Sequence, residues 1–232
     1  MPDATKGMVL ITRPEPGASD TARRLAAAGY LPVLAPMMTI ARRTPELPST
    51  IQAILVTSAN ALATAAALPH IPLFAVGDAT AAQARAAGHT AVHSAGRDAA
   101  ALADLAARLC TPTAGPLLLL SGAGMGKTLA ADLRARGFPV VRRVTYAARP
   151  IRALPAAAHA LLHGHGHALF FSPESARIFV RLFRHAVPMP SPLGWDALAL
   201  SPPTADALAP LPWRRIRVAS APNQEALLAL LP

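Results

Sequence analysis

The run Val9-Leu-Ile-Thr12, a helix-like segment ending Leu25-Ala-Ala-Ala-Gly29, and then Tyr30-Leu-Pro-Val33 return 108 residues later as Leu117-Leu-Leu-Leu120, a segment ending Leu133-Arg-Ala-Arg-Gly137, and Phe138-Pro-Val140. Three more echoes follow at offsets of 114, 124 and 126: Thr57-Ser58 in Phe171-Ser172, Thr80-Ala81 in Thr204-Ala205, and Val92-His-Ser-Ala95 in Val218-Ala-Ser-Ala221. A constant order with slowly growing offsets is the trace of a duplicated half that has gained loop residues.

Short apolar runs alternate with alanine-rich, helix-like segments of about ten residues. The runs are Met8 to Thr12, Ile54 to Thr57, Leu73 to Val76, Leu117 to Leu120, Ala168 to Phe171 and Ile216 to Ala219. Such alternation predicts parallel sheets covered by helices on both faces. Together with the echoes it predicts an α/β fold of two similar lobes, each a parallel sheet flanked by helices. The 232 residues, 53% hydrophobic and 15% charged, are enough for two such cores and exclude a disordered or coiled-coil chain.

Lysine and arginine number 22 against 12 acids, for a net charge of +10 and a pI near 11.4. A partner rich in carboxylates or phosphates follows from that balance. Nucleic acid is not expected, since aromatics are only 4% and no zinc-finger spacing, RNP-like stretch or basic amphipathic helix occurs. Prolines, histidines or arginines interrupt every apolar stretch before it reaches membrane-spanning length, and no signal segment is read at the start. The lone Cys110, at the end of an alanine-rich helix, has no partner for an intrachain disulfide and reads as a packing residue. A cytoplasmic location is expected.

Ser58, Thr80, Ser172 and Thr204 each fall at or just inside a helix start, immediately beyond the carboxyl end of a strand. A hydroxyl there can cap the helix. The same positions border free N–H groups and a positive dipole end, on the edge where open α/β sheets bind ligands. Two lobes with such edges facing each other would form a cleft suited to a molecule carrying several carboxylates. Thr80 and Thr204 would then have room for a bulky side chain.

Two other motifs are weaker. Ser121-Gly-Ala-Gly-Met-Gly126-Lys127-Thr128 approaches a phosphate-binding loop, but its first position is serine rather than glycine, and no apolar run ends in the aspartate that would hold magnesium. His163-Gly-His165-Gly-His167, with His159 one turn earlier, is glycine-spaced and lacks a nearby carboxylate; it reads as a solvated loop. Neither a metal nor a cofactor is therefore expected.

Val-Leu-Ile-Thr-Arg13-Pro14, Leu55-Val-Thr57-Ser58-Ala-Asn60-Ala, Val76-Gly77-Asp-Ala-Thr80-Ala81, the strand ending Val144-Thr-Tyr146, and Phe170-Phe-Ser172-Pro173 together resemble the uroporphyrinogen-III synthase family, in that family's order and across nearly the whole chain. Where the family usually has a second Gly-Pro-Thr-Thr-Ala-like turn, this chain has Ser201-Pro-Pro203-Thr204-Ala205. The resemblance implies a discontinuous domain of residues 1–36 and 149–232, a second domain of residues 37–148, and a two-stranded connection with a cleft between the lobes. It implies cyclisation of the linear tetrapyrrole hydroxymethylbilane with loss of water and inversion of the terminal pyrrole. Tyr146 would be the general acid. Arg13, Thr57, Ser58, Asn60, Gly77, Thr80, Gly122, Ser172, Ser201 and Thr204 would hold carboxylates. The protein would act as a monomer on a small polycarboxylate, without membrane or nucleic acid. The readings that compete with this one are a nucleotide-dependent phosphotransferase of P-loop type and a non-catalytic, two-lobed anion-binding protein.

Overall fold

The structure, a computed structural model, describes residues 6–186 and 192–232. Its strands in chain order are β1 (Met8–Ile11), β2 (Leu31–Leu34), β3 (Met38–Arg42), β4 (Ala53–Val56), β5 (Leu73–Ala75), β6 (Val92–Ser94), β7 (Leu117–Gly122), β8 (Val140–Pro150), β9 (Gly166–Phe170), β10 (Trp195–Ala199) and β11 (Arg215–Val218). The helices are α1 (Gly17–Ala27), α2 (Leu62–Ala65), α3 (Asp78–Ala86), α4 (Ala99–Leu109), α5 (Lys127–Ala135), α6 (Ala156–Leu161), α7 (Pro173–Arg184), α8 (Pro202–Leu208) and α9 (Gln224–Leu228). One compact unit takes the residues up to Thr39 and those from Arg149; the other is Ile40–Ala148.

The first unit contains a five-stranded sheet in the order β11-β10-β9-β1-β2, and every pairing is parallel. Strand residues alternate between its faces. Leu10, Phe170, Trp195 and Ala199 pack with Phe179, Phe183 and Leu208 of α7 and α8 on one side, whereas Val9, Ile11, Leu169 and Leu198 pack with Leu25 of α1 and Leu227 of α9 on the other.

The second unit has the order β3-β8-β7-β4-β5-β6, parallel from β8 through β6. Leu55, Phe74 and Leu119 face α4 and α5, and Ile54, Val56, Leu118 and Leu120 face the opposite layer, which contains Leu62, Ala81 and Ala84. The leucines and isoleucine on these strands are fully buried, which is worth about 1.5–3 kcal/mol apiece relative to exposure. The Arg43 N–H donates to Thr145, and the Ile151 N–H to Met37, so β3 runs against β8. The chain leaves the first unit in β3 and returns in β8, two neighbouring strands.

The echoes fall on equivalent strands. Reading β11-β10-β9-β1-β2 against β6-β5-β4-β7-β8 pairs Val218 with Val92, the β9 end with the β4 end, and Val9 with Leu117. The βα unit that opens the chain in one sheet therefore corresponds to the unit that closes the other. Each helix preceding an echo ends on a left-handed glycine, Gly29 at φ 87° and Gly137 at φ 88°, a conformation that favours residues without a Cβ.

Several expectations need correction. The apolar runs omit β2, β3, β6, β8 and β10, in which Pro32, Arg42, His93, the Arg142-Arg143 pair and Asp196 break the apolar pattern. The strand expected to end at Tyr146 continues to Pro150. Thr12, Thr57, Val76, Phe171 and Ala219 lie just beyond their strands. The histidine segment is not one solvated loop: His159 belongs to α6, and His167 is buried in β9. Of its two spacing glycines, Gly166 is required by close packing, because a Cβ there would meet the Met8 carbonyl oxygen and the Trp195 ring at 2.8 Å.

Candidate functional site

Because the strands within each parallel set point the same way, their carboxyl ends share one edge of each sheet. In the first unit that edge collects Arg13, Ser172, Ser201 and Thr204; in the second it collects Thr57, Ser58, Asn60, Gly77, Thr80, Gly122 and Tyr146.

The helix starts match between units. Ser58 (φ −159°, ψ 146°) and Ser172 (φ −157°, ψ 152°) are both extended caps, and each Oγ accepts a backbone N–H, from Asn60 at 3.3 Å and from Ser175 at 3.2 Å. Gly77 (φ −152°, ψ 166°) and Ser201 (φ −155°, ψ 161°) also share one conformation. Serine in place of glycine at the second of these turns therefore costs no backbone strain. A Cβ built on Gly77 meets nothing within 4 Å, so the surface beside that glycine is open.

The two threonines differ. Thr80 is half-buried on α3, whereas Thr204 is fully buried and its Oγ1 lies 3.0 Å from the Ser201 Oγ. The expectation that both have room for a large side chain fails at Thr204. Its methyl and hydroxyl are already enclosed by the α8 start.

The Arg13 guanidinium is committed within its own unit. It donates to Gln224 Oε1 at 2.8 Å and stacks over the Phe171 ring, 4.4 Å from the centroid. Burial lowers its pKa, with Asp20 and Glu15 opposing that effect. Gly17 makes the position possible, since a Cβ there would come within 2.3 Å of the guanidinium.

Thr57 Oγ1 is buried with no hydrogen-bond partner among the described residues. Most buried polar groups in folded chains are paired, so this hydroxyl at the β4 end stands out. Tyr146 is buried, 5% exposed, beside Leu118 and Leu120; its hydroxyl lies 3.9 Å from Met125 Sδ. A register shift at Ser121 and Gly122 sets Gly122 opposite Tyr146 and lets the Ala123 N–H donate to the Tyr146 carbonyl at 2.8 Å.

The turn that approaches a phosphate-binding loop is already occupied by a side chain of this protein. Arg142 Nη1 donates to Ser121 Oγ at 3.1 Å and to the Met125 carbonyl at 3.0 Å. Among the described residues no group of three or more histidines, cysteines or acids could hold a metal ion, and no helix is long and apolar enough to cross a membrane.

Sequence reasoning missed a cavity of about 280 Å³ in the second unit, bordered by Arg42, Arg43, Thr44, Asn60, Thr64 and Thr145 among others. Its only signal in the sequence is the Arg42-Arg43 doublet, which falls at the end of β3. Also missed was Asp196, 1% exposed in β10, which accepts from Arg214 at 2.7 Å and Arg215 at 2.8 Å, with His167 Nδ1 3.9 Å away. The hydrogen bond from Arg214 leads in holding the Asp196 carboxyl down at about 2.

The family model described as "Uroporphyrinogen-III synthase HemD" matches residues 19–229. Among solved structures, a uroporphyrinogen-III synthetase from Helicobacter pylori is similar at 17% identity and a TM-score of 0.63, over 96% of this chain and 97% of that one. A mutant uroporphyrinogen III synthase from Thermus thermophilus is similar at 16% identity and a TM-score of 0.49, over 97% and 95%. No curated protein sequence matches. The Helicobacter likeness supports the two-unit α/β fold, and membership rests on the family model.

Proposed function

The chain belongs to the uroporphyrinogen-III synthase family, an enzyme family of tetrapyrrole biosynthesis, and on that premise we propose how its own residues carry the reaction. The substrate is hydroxymethylbilane, a linear tetrapyrrole with acetate and propionate arms. Loss of its terminal hydroxyl as water leaves a resonance-stabilised cation that closes unaided to the type I isomer. For the type III isomer, the substituted carbon of the last ring must attack first. The spiro intermediate then fragments and recloses with that ring inverted. The protein's task is to hold this geometry, and orientation supplies most of the catalysis.

The matched helix starts carry the reading. In both units hydroxyls and backbone N–H groups at Ser58 and Ser172, and at Gly77 and Ser201, present one repeated donor pattern at the strand ends. Repeated donors suit a substrate that repeats its carboxylates. Thr57, Asn60 and Thr80 add to this surface, and the buried Thr57 hydroxyl gains a partner when a carboxylate binds; Thr204 and Gly122 are buried and act from behind it, Thr204 by bonding Ser201 and Gly122 by seating the Tyr146 ring. Arg13 contributes charge from its place on Phe171 and orders the β1 end. Tyr146 donates its phenol proton to the leaving hydroxyl. The protein works in the cytoplasm as a monomer, without metal or cofactor.

Incubation with freshly made hydroxymethylbilane and separation of the isomers tests the reading. Isomer III is expected, undiminished by EDTA and independent of ATP. Isomer I alone would leave a non-catalytic anion-binding protein. Tight ATP binding lost in Lys127→Ala would instead restore the phosphotransferase, which neither the family match nor the Arg142-filled turn favours.

A further inference from the structure

We propose that the cavity bordered by Arg42, Arg43, Thr44, Asn60, Thr64 and Thr145 is a carboxylate subsite for one acid-bearing ring end of the substrate, with Arg42 and Arg43 as specificity-determining cations. The proposal rests on the catalytic reading above and deepens it.

The charge argument begins with what is already used. Arg13 is the sole cation among the carboxylate holders named from sequence, and its guanidinium is engaged by Gln224 and Phe171. Arg136 is paired with Asp104 and Asp132, and Arg214 and Arg215 with Asp196. Arg42 and Arg43 differ: among the described residues neither guanidinium has a hydrogen bond or an acid partner, and both side chains are exposed at the cavity wall. A guanidinium presents a planar fork matched to a carboxylate, which is what such a cation is shaped to bind.

The backbone beneath them is fixed. The Arg43 N–H donates to the Thr145 carbonyl at 2.8 Å, and Arg143 Nε holds the Glu46 carbonyl at 2.7 Å, pinning the loop beyond β3. The two cations therefore stand on a strand end and not on a free loop.

Size and lining choose the ligand class. A volume of about 280 Å³ lies just under the range of roughly 300–1,000 Å³ typical of pockets for whole drug-sized ligands, so the cavity suits a ring with its arms rather than a tetrapyrrole. Leu47, Ala63 and Ala67 give it an apolar wall, which an inorganic anion would not use and the face of a pyrrole would. Asn60 lines the cavity and belongs to the carboxylate-holding edge, so a ring end bound here lies beside the groups proposed to hold the rest of the substrate.

Three measurements on the full chain decide it. In steady-state kinetics Arg42→Ala and Arg43→Ala should each raise KM about three- to tenfold, and the double variant more, with kcat falling less than KM rises. Arg→Lys at both positions should recover part of the loss. Titration with uroporphyrin III, a stable octacarboxylate, should show a matching loss of affinity, and millimolar inorganic phosphate should not compete. Thr64→Trp, which fills the cavity, should weaken uroporphyrin binding without lowering Tm by more than a few degrees. If wild type makes isomer III and the double variant keeps KM and uroporphyrin Kd within twofold, the subsite is overturned while the function stands. Should wild type make no isomer III, the catalytic reading falls, and the uroporphyrin titration still decides whether these arginines bind carboxylates. Effective competition by phosphate would overturn the ring-end assignment in favour of a small-anion site.

Discussion

The ring of Tyr146 occupies the space where Gly122 would otherwise carry a side chain: a Cβ there would approach Cε2 and Cζ to 2.8 Å and the hydroxyl to 3.0 Å. Gly122 is extended strand, not a left-handed turn, so its role is to leave room for the ring. Gly122→Ala should cost about 1–3 kcal/mol through overpacking and displace the phenol, so that activity falls at least as far as in Tyr146→Phe. In a double-mutant cycle the stability cost should largely vanish in a Tyr146→Ala background. Additive losses would show that the two residues are not coupled.

Tyr146→Phe isolates the phenol proton. The hydroxyl's contact within the fold is a weak one, to a thioether sulfur at 3.9 Å, so Tm should change little. General acid catalysis contributes about 100-fold or more, and a substrate that ionises readily needs the lower end of that range. Turnover should fall toward about 100-fold, with the enzymatic product still isomer III and isomer I rising from unaided closure. Wild-type rate and product ratio would make Tyr146 a packing residue.

The unequal burial of the paired threonines predicts unequal tolerance. Thr80→Trp should abolish turnover with a nearly unchanged circular-dichroism melt, because Thr80 is only half-buried. Thr204→Trp should unfold or strongly destabilise the protein, since Thr204 has no exposure at all. Thr204→Val removes only the hydroxyl paired with Ser201 and should cost about 1 kcal/mol. Equal melts for both tryptophan variants would contradict the burial difference.

Asp196 sets an acid limit on stability. Its carboxyl sits near 2 when folded, against an ordinary value of 3.8, so the unfolded chain takes up protons first as the pH drops. The stabilisation is fully present above about pH 5 and is lost as pH falls through 2. With Arg214 and Arg215 partly exposed to solvent, it amounts to about 1–2 kcal/mol. His167, whose pKa is pushed down chiefly by burial, adds a loss in the same direction below its ordinary 6.5. Urea melts between pH 7 and pH 2 should show both, and Asp196→Asn should remove the lower limb.

Residues alone determined the repeat and the positions of the hydroxyls at its helix starts. Val9 and Leu117 begin apolar runs, Gly29 and Gly137 end helices, and Ser58 and Ser172 follow strands, because periodicity and capping are local properties written in neighbouring side chains. A strand that sequence missed is one whose partners supply what its own residues lack: Asp196 in β10 is paired with Arg215 of the neighbouring β11 and with Arg214 just before it. The order in which the sheets assemble was likewise a tertiary decision, since placing the opening βα unit beside β9 is a pairing between residues more than 150 positions apart. So was the state of each candidate group. Arg13, expected to hold a carboxylate, is held by Gln224, while Arg42 and Arg43, which no sequence pattern singled out, border a cavity. A residue's type fixes what it can bond to, but which bonds it already has depends on neighbours that only the folded chain brings within reach.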